Sequence, residues 1–169
     1  MDMDRRTFFE RGLLGAAGIG LFGLGSCGLG GASAKSGTRF EITKTDAQWK
    51  RQLTADQYYV LRGEGTERAF SSPLDKEKRA GTFVCAGCQL PLFSSKTKFD
   101  SGTGWPSFYA PLPNAVGTST DRLLGYARTG VHCRRCGGHL GHVFDDGPRP
   151  TGKRYCMNGD AMLFRVAKA

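Results

Sequence analysis

Two cysteine pairs constrain this chain more than any other feature. Cys85 and Cys88 form "CAGC", and Cys133 and Cys136 form "CRRC" far downstream. Each pair makes a tight turn that presents two thiolates on one side, and two such turns can close a tetrahedron around a divalent ion. The alternative is a pair of disulfides. A bridge across only two intervening residues is strained and readily reduced, which suits redox catalysts better than structural staples. Gly137 and Gly138, directly after the second pair, let backbone N–H groups turn toward sulfur as in a zinc knuckle. A structural zinc ion held by Cys85, Cys88, Cys133 and Cys136 is therefore expected.

The texture around the pairs sets the fold class. Thr45-Asp-Ala-Gln48 and Thr54-Ala-Asp-Gln57 each have the spacing of a capping box and predict two short helices. Trp49 and Leu53, four residues apart, share one buried face. From Gly81 onward come brief runs such as "TFVC", "PLFSS", "LLGYARTGVHC", "GHVF" and "AMLFRVA", separated by Gly, Pro, Asn and Asp. Aromatic and β-branched residues between turn formers predict antiparallel strands. With no internal repeat and no βαβ alternation, the class is mainly β with N-terminal helices. At 169 residues there is room for one domain. We place it at 44–169, behind a polar linker at 35–43.

Residues 1–34 have the order of an export signal. Arg5 and Arg6 precede Phe8 and Phe9, and an uncharged, Gly-rich apolar stretch follows from Gly12 to Ala34. This is similar to a twin-arginine signal, which addresses folded proteins to a translocon. A retained membrane anchor is the alternative, but so much glycine makes a poor stable helix. Two cuts fit: after Ala34, following "ASA", or before Cys27, where "LGSC" resembles a lipoprotein box. Export places the mature protein in the periplasm, free or lipid-anchored at Cys27. Metal loading before export would shield the thiolates from oxidation.

Charge discriminates less. The chain has 24 basic and 15 acidic residues, a net +9. Arg5, Arg6 and Arg11 balance Asp2, Asp4 and Glu10, so the excess stays with the mature domain. Its basic residues are scattered and not interleaved with aromatics, so no nucleic-acid partner is expected.

Once four cysteines are assigned to metal and Cys27 to the signal, Cys156 in "GKRYCMNGD" stands alone. In an extended segment Arg154, Cys156 and Asn158 point the same way; Asn158 can supply an amide hydrogen bond, and the Arg154 charge favours thiolate. His139 and His142 in "HLGH" are close enough to converge from a turn. Two imidazoles near a thiol suffice for cysteine nucleophilic chemistry with proton delivery. Further metal ligation is the other reading of the histidine pair.

These segments resemble a known family. "FDSGTGWPSF" (99–108), "HLGHVFDDGPRPTGKRYCMN" (139–158), both cysteine pairs and "GTERAF" (65–70) are similar to the B-type methionine sulfoxide reductases, over roughly residues 44 to 166. The resemblance implies two small antiparallel sheets with peripheral helices and a zinc site opposite the active site. It also implies that Cys156 attacks the sulfur of an oxidised methionine and is left as a sulfenic acid. His139, His142 and Asn158 would hold and protonate the departing oxygen. Trp105 would cradle the substrate methyl group and help select the R epimer, its alternative being ordinary core, with Pro106 and Phe108 as supporting packing. Oxidised proteins are the implied substrates, a thioredoxin-like protein the implied reductant, and a monomer the expected state.

The chain departs from the family pattern twice. Thr103 stands where many relatives carry a resolving cysteine, so recycling would need direct attack by an external thiol. Gly130 follows the Arg-Thr pair where relatives commonly carry an acidic residue, which withdraws expected support from the histidines. Two other classes stay open: a zinc-stabilised binding module with an inert Cys156, and a basic nucleic-acid binder built on the zinc ribbon.

Overall fold

The computed structural model describes residues 40–122 and 125–168. The expected signal, both of its cleavage sites and most of the linker lie outside the described residues. Helices α1 (Asp46–Gln52) and α2 (Ala55–Gly63) open the domain. Both carry the anticipated capping boxes. The Thr45 hydroxyl accepts from Gln48 N at 3.3 Å while Gln48 Oε1 accepts from Thr45 N at 2.8 Å. Thr54 and Gln57 repeat the exchange at 3.2 Å in each direction. Early N–H groups that have no partner within a helix are thereby satisfied, which lets helices this short exist. Trp49 and Leu53 are both buried, as the four-residue spacing requires. Among the described residues no helix is long and apolar enough to cross a membrane.

Among the described residues nine strands follow: β1 (Gly81–Cys85), β2 (Pro91–Ser94), β3 (Lys98–Phe99), β4 (Ser107–Phe108), β5 (Val116–Asp121), β6 (Arg128–Cys133), β7 (His139–Phe144), β8 (Arg154–Met157) and β9 (Met162–Val166). They form two antiparallel sheets, of three strands in the order β2-β1-β9 and of six in the order β3-β4-β8-β7-β6-β5. The mainly β class with two antiparallel sheets holds; the second sheet is larger than expected. Its added strands are very short (β3, β4) or polar (β5, "VGTSTD"), so none carries a hydrophobic alternation. Of the described part of the run "LLGYARTGVHC", residues 125–133, only Arg128–Cys133 is strand.

Aromatic packing joins the sheets. Phe93 of β2 stacks on Phe108 of β4 with centroids 4.4 Å apart, and Phe83 of β1 meets the same ring edge-on at 4.9 Å. Such pairs contribute about 0.5–1.5 kcal/mol each beyond the area they bury. Phe108 is thus a keystone of the core, and through its neighbour Ser107 it fixes β4 against β8.

One irregularity shapes the site. Along β6 and β7 the register jumps from Val131↔Gly141 to His132↔His139, so Leu140 is an extra, bulged residue. In a regular strand, residues three apart face opposite sides. The bulge resets the alternation and brings the rings of His139 and His142 to 5.2 Å, edge to face. The convergence expected from a turn is therefore achieved by a bulged strand. Gly141 is indispensable here: a Cβ on it would sit 2.1 Å from Cys156 O, so only glycine lets β7 and β8 close.

Candidate active site

Backbone pairing lays out the site. Ser119↔Gly130, Gly130↔His142, His142↔Cys156 and Cys156↔Ser107 are consecutive cross-strand partners. Residues directly opposite in antiparallel strands share a face. A single row therefore crosses five strands and sets the thiol beside an imidazole. A cavity of about 120 Å³ opens next to this row, lined among others by Trp105, Arg128, His142, Phe144, Cys156 and Asn158. Four residues expected at the site, Cys156, His142, Asn158 and Trp105, thus line one space. His139 does not line it; its ring packs against that of His142.

Cys156 is half-buried. Burial pushes its thiol pKa up, opposed by the Thr103 hydroxyl and the Arg154 charge. Arg154 does favour the thiolate, as expected, but desolvation is the larger effect. The guanidinium is also engaged elsewhere, bonded to Asp146 at 2.7 and 2.9 Å and stacked 4.4 Å over the Phe144 ring. Thr103 Oγ1 lies 3.9 Å from Cys156 Sγ and heads a chain of hydroxyls. Thr103 bonds Ser101 at 2.8 Å, Ser101 bonds Ser107 at 2.7 Å, and Ser107 donates to Trp105 O at 3.1 Å.

Asn158 is buried, and its amide serves the backbone. Nδ2 donates to Leu140 O, the bulge carbonyl, at 3.1 Å, and Oδ1 accepts from Glu67 N at 2.9 Å. Glu67 in turn accepts from Gly159 N and Asp160 N, both at 2.8 Å, while its carbonyl receives Trp105 Nε1 at 3.1 Å. Burial raises the Glu67 carboxyl pKa in spite of those two N–H groups. Sequence reading assigned Glu67 no role, since its partners lie far along the chain and no local spacing announces them.

The two imidazoles differ. Burial and the adjacent His142 depress the His139 pKa to about 4, and its buried Nε2 has no hydrogen-bond partner among the described residues. His142 Nε2 lies 2.7 Å from Asp121 Oδ2, and the same oxygen accepts from Arg128 at 2.6 Å. The carboxylate support whose loss Gly130 implied is supplied from β5. Asp121 was not anticipated either, because only the β5–β6–β7 register brings it to His142.

At one end of β6 the four paired cysteines gather. Their sulfurs all lie within 4.8 Å of one another. The closest contacts join the two pairs, Cys85 to Cys136 at 3.7 Å and Cys88 to Cys133 at 3.5 Å. A tetrahedral ion with metal–sulfur bonds of about 2.3 Å requires sulfur separations of about 3.8 Å, so the set fits a metal ion. These cysteines are free, against the disulfide reading. Because Cys85 ends β1 and Cys133 ends β6, an ion held here ties the two sheets together.

Comparison with known proteins agrees with this geometry. A family model described as "SelR domain" matches residues 53–166. The chain is 52% identical over 127 residues to a peptide methionine sulfoxide reductase MsrB of Leptospira interrogans, covering 75% of this chain and 97% of that protein. It is 52% identical over 125 residues to the protein of the same name from Agrobacterium fabrum, covering 73% and 93%. The Pseudomonas putida protein of that name is 52% identical over 126 residues, covering 74% and 95%. A cavity built around one thiol, a four-sulfur cluster apart from it, and similarity along nearly the whole length of these relatives lead to one assignment: the chain belongs to the SelR-domain family, that of the B-type peptide methionine sulfoxide reductases.

Proposed function

We propose that this protein reduces the R epimer of methionine sulfoxide in oxidised proteins to methionine. The observation that carries this reading is the meeting of Cys156, His142 and Trp105 around one cavity. The Cys156 sulfur attacks the sulfoxide sulfur, and the S–O bond breaks with the oxygen passing to the enzyme. Methionine leaves, its sulfur reduced by two electrons, and Cys156 remains as a sulfenic acid. The proton lost by the thiol reaches the departing oxygen through His142, so the oxygen stays neutral as it transfers and the sulfenic acid forms with no net proton uptake. His139, neutral and packed edge to face against it, keeps the ring in place, and Asn158 holds the bulge that presents it. The Trp105 indole, anchored through Nε1 to Glu67 O, offers an apolar wall to the substrate methyl group.

A thioredoxin-like dithiol then attacks the sulfenic acid directly, since Thr103 offers no second sulfur. One thiol forms a mixed disulfide and releases water; the other resolves it and restores Cys156. Zinc, bound by Cys85, Cys88, Cys133 and Cys136, would supply structural cross-linking remote from the reaction. Residues 1–34 would direct export by the twin-arginine route to the periplasm, with cleavage after Ala34 or lipidation at Cys27.

The test is a peptide with one methionine sulfoxide, offered as separated R and S epimers with dithiothreitol as reductant. Loss of one oxygen from the R peptide alone, abolished by Cys156→Ser with fold and metal content intact, is the expected result. Equal turnover of both epimers would remove the stereochemical claim, and turnover by the serine variant would remove the mechanism.

A further inference from the structure

Asp121 and Arg128 are directly opposite one another on β5 and β6, so their side chains share a face. Two residues further along each strand lies the pair Ser119↔Gly130, and Gly130 is in turn opposite His142. His142 is therefore the diagonal neighbour of Asp121 across the width of β6. The β6 residue opposite His142 stands between the two. Here that residue is glycine: a Cβ at position 130 would lie 3.4 Å from Ser119 Oγ and 3.7 Å from Asp121 Cβ. Through this gap Asp121 Oδ2 reaches His142 Nε2 at 2.7 Å, while Arg128 clamps the same oxygen at 2.6 Å. Side-chain exposures of 10% for His142, 12% for Asp121 and 17% for Arg128 leave little water to screen the cluster.

A carboxylate oxygen bonded to a cation accepts, so His142 Nε2 carries a proton, and Nδ1 is the ring nitrogen left for substrate. We infer that Asp121 is a positioning residue for His142. It fixes the ring and its tautomer, and it stabilises the imidazolium from which the sulfoxide oxygen takes its proton. Arg128 holds the carboxylate in line. The same logic governs any imidazole backed by a buried carboxylate, where the acid orients the ring and is not itself protonated.

This inference rests on the proposed reductase reading, and the experiment separates the two. Asp121→Asn should lower kcat for the R-sulfoxide peptide by about tenfold to a hundredfold, with KM changed less than about twofold. The downfield proton resonance of His142 Nε2–H, assigned by its absence in His142→Asn, should be present in the native protein and weakened or lost in Asp121→Asn. Adding Gly130→Glu to Asp121→Asn sets a carboxylate beside His142 from the other strand and should regain at least about threefold in kcat. A kcat within about twofold of native overturns the inference, as does a loss that the carboxylate at 130 fails to reverse. If Asp121→Asn does not fold, Asp121→Glu decides: retained kcat and resonance support the role, and loss of both overturns it. Should the native protein show no turnover, the reductase reading fails and the resonance alone still decides the Asp121–His142 bond.

Discussion

Thr103 Oγ1 stands 3.9 Å from Cys156 Sγ at the head of a hydroxyl chain that ends on Trp105 O. Ser107 donates to that carbonyl, so with each hydroxyl holding one proton the chain runs Thr103 to Ser101 to Ser107. Thr103 is then left to accept from the thiol. When the thiol ionises, the hydroxyls can reverse and Thr103 donates to sulfur. Thr103→Val removes that stabilisation of thiolate, worth about 1 kcal/mol, and should slow alkylation of Cys156 at neutral pH about fivefold. Raising the pH should recover most of the rate. Unchanged alkylation across the pH range would show that the hydroxyl does not act on the sulfur.

Glu67 ties the segment before β1 to the loop after β8 through Gly159 N and Asp160 N. Glu67→Ala leaves the buried Gly159 N–H and the part-buried Asp160 N–H without their carboxylate partner and should cost about 2–4 kcal/mol, read from urea denaturation. Activity should fall as well, because Trp105 and Asn158 both bond to the backbone of residue 67. Glu67→Gln keeps one acceptor oxygen and should lose about half as much. Equal stability of Ala and Gln variants would contradict the role of the carboxylate.

His139 gives a pH dependence of defined sign. Its folded pKa is depressed to about 4, whereas in the unfolded chain it returns to about 6.5. Between these values the unfolded state binds more protons, so stability is full above pH 6.5 and declines as pH falls toward 4. His139→Asn should flatten this part of the curve. Urea midpoints measured from pH 7.5 to 4.5 on both proteins test it, and parallel curves would rule His139 out as the source.

Removing the metal should loosen both sheets together. Cys88→Ser, or prolonged chelation under reducing conditions, is expected to lower the melting temperature by about 10 °C or more. The four sulfurs should then become reactive to thiol reagents. A chelated protein with unchanged melting would mean that the sulfur cluster stands without an ion.

The legibility of the molecule in its sequence follows the range of the interactions. Capping boxes and cysteine pairs are local, and Thr45, Thr54 and the four cysteines sit as their spacing requires. Cys156, Trp105 and the histidines were legible as residue types in distinctive segments. Asp121 and Glu67 were not, since one acts across a strand register and the other 92 residues from its partner. The bulge at Leu140 also escaped reading, for nothing in "HLGH" distinguishes a turn from a kinked strand. Balances between opposing effects were the least accessible: the Arg154 charge was visible beside Cys156, but the depth of burial that outweighs it was not.

The row from Ser119 through Gly130, His142 and Cys156 to Ser107 also sets how this gene can change in length. Alternation along each strand has period two, so one codon gained or lost inside β6, β7 or β8 sends the thiol or an imidazole to the opposite surface of the sheet. Tolerated insertions and deletions should therefore collect outside these strands, as in the connection at 145–153, and the strands themselves should be invariant in size.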